Sequence, residues 1–122
     1  MEALRYFPFT KLVVPQDEEV FWCASNPTFH RTSDYGIAIT NRAVYLFSPF
    51  WLWFAHWRRY PLSDIQQAIF RDSHWLPKLR IHLRTRTVTF RTPYDGYQDE
   101  MDYDRKNLAE AAELLEQHRS GT

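Results

Sequence analysis

Apolar and polar positions alternate at period two through most of the chain and change to helical spacing near its end. "DEEVFWCAS", Asp17 to Ser25, predicts a first strand, followed by the loop "NPTFHRTSDYG". The segment "GIAITNRAVYLF" predicts a hairpin with a two-residue turn at Asn41 and Arg42. In that register Ile39 faces Val44 and Ile37 faces Leu46, while Ala38 and Tyr45 share the other side. "RRYPLSDIQQAIF" predicts a strand broken at Pro61 that resumes after Ser63 and Asp64. "HWLP" reads as a turn into a second hairpin, "KLRIHLRTRTVTFRT". A turn at Thr85 and Arg86 pairs Leu83 with Val88 and Ile81 with Phe90 on one apolar face. Lys78, Arg80, His82 and Arg84 alternate with the apolar residues of the first strand; Thr87, Thr89 and Arg91 do so in the second.

The closing segment repeats Met101, Leu108, Ala111, Ala112 and Leu115 at helical spacing, with Glu110, Glu113 and Glu116 on the opposite side. This predicts a helix of about four turns, capped by Asp102 or Asp104 and ending before Gly121. Its narrow stripe of small residues suits packing on a sheet. Strands first and one helix last make an α+β plan.

One stretch exceeds what a single core face absorbs. "FWLWFAHW", Phe50 to Trp57, places Phe50, Leu52 and Phe54 on one side if extended and Trp51, Trp53 and Trp57 on the other. Burying one such side chain contributes roughly 1.5–3 kcal/mol, so the second set is comparable with much of a domain's stability. Three arrangements satisfy it. The N-terminal segment "LRYFPFTKLVV" or the C-terminal helix covers it; or Trp51, Trp53, Phe54 and Trp57 form a homo-oligomer or protein-partner interface; or the tryptophans enter an anionic membrane surface with Arg58 and Arg59 at headgroup level.

Composition narrows the partners. At 122 residues the expectation is a single domain, 1–122. Fifteen basic and 15 acidic residues cancel, which supplies no long-range steering towards nucleic acid. The charges are segregated, however. Arg71 to Arg91 holds six basic residues and one acid, Asp72; Asp95 to Glu116 holds eight acids with Arg105 and Lys106. Cys23 is the only cysteine, which excludes an intrachain disulfide and fits a cytoplasmic setting. "MEALRYFPFT" does not read as a signal peptide, and the longest apolar stretch, Val44 to Trp57, is shorter than the roughly 20 residues of a spanning helix.

The pieces "DEEV", "GIAITNRAVYLFS", "RRYPLSDI" and "LRIHLRTRTVTFRTP", with the closing helix, resemble the pleckstrin-homology-like (PH-like) superfamily, particularly its GRAM and bacterial PH branches. The likeness spans Asp17 to His118. It implies a bent antiparallel sheet, or split barrel, of about seven strands plugged by the C-terminal helix, and a non-enzymatic module that binds lipid headgroups, peptides or other copies. In the loop where phosphoinositide-binding members carry several basic residues, this chain has His30 and Arg31 beside Asp34.

Catalytic and metal chemistry find little foothold, and no cofactor or small-molecule substrate is indicated. Glycine-rich phosphate loops, nucleophile elbows and close ligand spacings do not occur. "DGYQDEMDYD" lacks the carboxylate and glycine spacing of a calcium loop. His30, His56, His74, His82 and His118 are scattered, and Cys23 beside Trp22 reads as a buried, inert thiol. The second hairpin carries the candidate anion-binding residues Arg80, His82, Arg84 and Arg91; its predicted register sets Arg80 against Arg91, unless Asp72 or the 95–104 segment neutralises them. The sequence thus leads to a PH-like binding module that self-associates or docks a protein, or else lies peripherally on the inner face of a membrane; a third reading, a small enzyme of unknown reaction, would need a pocket where His82 or His56 meets a carboxylate.

Overall fold

A computed structural model describes residues 4–6, 11–25, 36–47, 57–72, 77–91 and 98–120. Its elements are β1 (Leu4–Tyr6), β2 (Lys11–Val13), β3 (Val20–Ser25), β4 (Gly36–Thr40), β5 (Ala43–Phe47), β6 (Arg58–Pro61), β7 (Ile65–Asp72), β8 (Pro77–Leu83), β9 (Thr87–Arg91) and α1 (Gln98–Ser120), with a 3-10 turn at Leu62–Asp64. All pairing is antiparallel, in a β1–β2 pair, a four-stranded β3–β6 sheet and a three-stranded β7–β9 sheet. The fold is α+β, and among the described residues the two larger sheets do not close into a barrel.

The first hairpin has the register its apolar alternation predicts: Ile37 opposes Leu46, Ala38 opposes Tyr45 and Ile39 opposes Val44. The break after Pro61 is also present, because proline cannot donate to a ladder and the chain takes a 3-10 turn before β7. One core joins Ile37, Ile39, Val44, Leu46 and Tyr60 of the first sheet to Ala68, Leu79, Ile81 and Phe90 of the second. Leu108, Ala111, Ala112 and Leu115 of α1 close it. The other face of the first sheet is covered too. Val14, Val20 and Trp57 pack there with Ala38, Ala43 and Tyr45, so every residue of β4 and β5 is buried.

Several expectations are corrected. The strand expected from Asp17 is not the first: β1 and β2 precede it, and it begins only at Val20, after a turn in which the Glu18 amide donates to the Pro15 carbonyl (3.0 Å). The helix starts at Gln98 and runs 23 residues, so Asp102 and Asp104 lie inside it and are not caps. Cys23 is exposed, on β3, which is the edge strand of its sheet. Glu116 and Glu110 are engaged by the fold: Glu116 accepts from the Ala68 amide (3.1 Å) and Glu110 from the Trp22 indole (3.0 Å). The β8–β9 register differs by two residues. Leu79 opposes Phe90, Ile81 opposes Val88, and the turn falls at Arg84 and Thr85, with the Leu83 amide donating to the Arg86 carbonyl (2.8 Å) across it. Arg80 therefore faces Thr89, and Lys78 takes the place opposite Arg91.

Candidate functional site

The three-stranded sheet has two unlike faces. Ala68, Leu79, Ile81 and Phe90 turn inward to the core. By strand alternation Ile69 and Arg71 of β7, Lys78, Arg80 and His82 of β8, and Thr87, Thr89 and Arg91 of β9 turn outward. Arg71 pairs with Lys78 and Lys78 with Arg91, so three cations form one row across the sheet. Arg80 stands in the next row between Ile69 and Thr89. Arg71, Arg80 and Arg91 are exposed and Lys78 is half-buried. Like charges in direct register destabilise a ladder unless something negative lies over them.

No carboxylate meets that row among the described residues, where the ion pairs are made by Arg42, Arg59 and Arg105. Asp72 does not neutralise Arg80, Arg84 or Arg91. It alternates onto the helix-facing side, opposite Pro77, and accepts from Arg105 Nε at 2.8 Å. Arg105 also reaches Asp102 at 3.0 Å.

Of the sequence candidates, Arg80, His82 and Arg91 share the outward face. The His82 ring nitrogen Nδ1 lies 3.1 Å from the Thr87 hydroxyl. Arg84 sits in the β8–β9 turn, its amide donating to the Asp64 carbonyl (3.1 Å), beyond the end of the ladder farther from Arg91. Sequence reasoning missed Arg71 and Lys78 as a pair. Treating Ser73 to Leu76 as a four-residue connection would have found them, since they stand equally far from its ends.

A second polar cluster sits on the opposite side of the first sheet. The Glu18 carboxylate is only 2% exposed at its side chain. It accepts from the Thr40 hydroxyl (2.8 Å), the Tyr45 hydroxyl (3.0 Å) and Arg59 Nη2 (2.9 Å) and Nε (3.3 Å). Burial raises the Tyr45 pKa above its ordinary value; the Arg59 hydrogen bond opposes the rise and Glu18 adds to it. For Arg59 burial acts downward, yet its hydrogen bonds to Tyr45 and Glu18 outweigh it and the pKa goes up. The residues on either side of Glu18 extend the clamp: the Glu19 backbone amide donates to Asn41 Oδ1 (2.8 Å), and the Asp17 carboxylate meets Arg42 at 3.5 Å. The hairpin register puts Tyr45 on the side away from Ile37 and Ile39, and the "DEE" run at 17–19 is the available signal for its partner.

Trp51, Trp53 and Phe54 lie outside the described residues. Trp57 is half-buried, with its ring 5.5 Å from that of Phe47. Arg58 is exposed on β6, and Arg59 directs Nε and Nη2 into the Glu18 cluster. Among the described residues no three His, Cys, Asp or Glu side chains gather as metal ligands, and no helix is long and apolar enough to cross a membrane. Comparison with protein-family models, with curated proteins and with solved structures returns no match.

Proposed function

We propose that the chain is a non-enzymatic docking module of the PH-like type that attaches peripherally to an anionic membrane surface on the cytoplasmic side. The observation that carries this reading is the outward row Arg71, Lys78 and Arg91 with Arg80 behind it. Anionic lipids attract each nearby Lys or Arg with about 1 kcal/mol. Four such residues give weak, reversible attachment; stable anchoring takes a second signal. Trp51 and Trp53 are the residues suited to supply it, with the exposed Arg58 following them in the chain.

Co-sedimentation with vesicles of phosphatidylserine and phosphatidylcholine tests the reading. Binding is expected with the mixed vesicles, not with phosphatidylcholine alone, and is expected to disappear in R71E/K78E/R91E. Equal binding of this variant and the native chain would overturn the role given to the row. Docking of a protein or a second copy through Trp51, Trp53 and Phe54 is the competing outcome. It would appear as vesicle-independent association in light scattering, lost on replacing those aromatics and unaffected by the charge reversals.

A further inference from the structure

At the far end of the first hairpin, where the β4–β5 turn meets the break after β6, lies a half-open groove of about 370 Å³. Asn41, Arg42, Arg59, Pro61, Leu62 and Ser63 line it among the described residues. None of these is a carboxylate, although two carboxylates lie close by. Glu18 approaches Arg59 from the buried side and engages Nε and Nη2, which among the described residues leaves Nη1 uncommitted. Asp17 meets Arg42 only through Nη1, at 3.5 Å, with both side chains more than half exposed. An exposed pair of that kind is worth at most about 1 kcal/mol and exchanges readily. Asn41 Oδ1 is held by the Glu19 amide, so the amide's NH₂ end is the one left to donate. Ser63 adds a hydroxyl, while Pro61 and Leu62 supply an apolar floor. The volume falls in the range of small-ligand sites, about 300–1,000 Å³.

We propose that this groove binds a small oxyanion, a phosphate monoester or a carboxylate, carried on a compact apolar body. Arg42 and the outward end of Arg59 meet the charge, and Pro61 and Leu62 support the body. Planar guanidinium groups suit either oxyanion through paired, charge-assisted hydrogen bonds. The site is separate from the cationic sheet face, none of whose residues lines it.

The test is amide chemical-shift titration of the full chain with phenyl phosphate and with benzoate, using benzyl alcohol as the uncharged control. Saturable shifts confined to residues 41–42 and 59–63 are expected with at least one of the anions and not with the alcohol. Arg42→Gln is expected to weaken binding about tenfold, the usual scale for a lost charge-assisted contact. Asp17→Asn removes the competing carboxylate and is expected to tighten it. Both variants leave the Glu18 cluster in place, so folding is not at issue. Absence of saturable shifts with both anions, an unchanged affinity in Arg42→Gln, or weaker binding in Asp17→Asn would each overturn the proposal. Dihexanoyl phosphatidate separates the sources: tighter binding than phenyl phosphate assigns a lipid headgroup, weaker binding a free metabolite-sized ligand.

Discussion

Glu18 shows how one buried charge organises its surroundings. A carboxylate taken out of water is tolerable only when its oxygens are filled, and here two hydroxyls and a guanidinium fill them. Glu18→Gln keeps the shape but loses the charge and turns one acceptor into a donor facing other donors. Arg59 is 42% exposed at its side chain and regains water, which keeps the loss below that of a fully buried pair. The expected destabilisation is about 1–3 kcal/mol, read from the urea midpoint; a loss under half a kilocalorie would mean the cluster is not a structural clamp. Tyr45 adds a pH signature. Its folded pKa is raised, with burial as the first cause, so the folded chain holds the phenolic proton more tightly than the unfolded chain. That stabilisation is complete below about pH 10 and is lost as pH climbs through the folded value. Tyr45→Phe is expected to be less stable at neutral pH, yet to lack this alkaline decline when unfolding is followed by circular dichroism.

The two hairpins show what alternation can and cannot specify. A slip of one residue would turn every apolar side chain outward, so the face that packs inward is legible from sequence in both. A slip of two residues changes no face, and that is the difference found in β8–β9. The deciding interactions are backbone bonds invisible to side-chain pattern: Leu83 to the Arg86 carbonyl, and Arg84 to the Asp64 carbonyl of the preceding 3-10 turn. The first hairpin was legible in full because its two-residue turn fixes register and face together. The candidate site was legible as a cationic face but not as a row, since rows depend on register. Lys78, flanked by Arg71 and Arg91, is the residue on which the row turns. Lys78→Glu converts two repulsive cross-strand pairs into attractive ones, each worth about 0.2–1 kcal/mol. It is expected to raise the melting temperature while weakening retention on phosphatidylserine vesicles at least about fivefold. A fall in both would show that Lys78 serves packing and not an external anion.

For the molecule as a whole, zero net charge hides a local field. Adjacent strands lie about 4.8 Å apart, so the three cations of the row fit within roughly one Debye length at 0.1 M salt and act on a charged surface together. Docking should therefore follow the position of charge and not its total. Arg91→Glu and Lys106→Glu make the comparison, because each lowers the net charge by the same amount, one in the row and one on the exposed side of α1. Each reversal inside the row removes one attraction and adds one repulsion; at about 1 kcal/mol per charge near the surface, removal alone weakens partitioning about fivefold. Arg91→Glu is therefore expected to bind phosphatidylserine vesicles at least that much more weakly, with a flatter dependence on salt. Lys106→Glu is expected to stay close to the native chain, since Lys106 belongs to the helix and not to the outward face of the sheet. Equal losses in the two variants would mean that only total charge matters, and the ordered row would then have no part in docking.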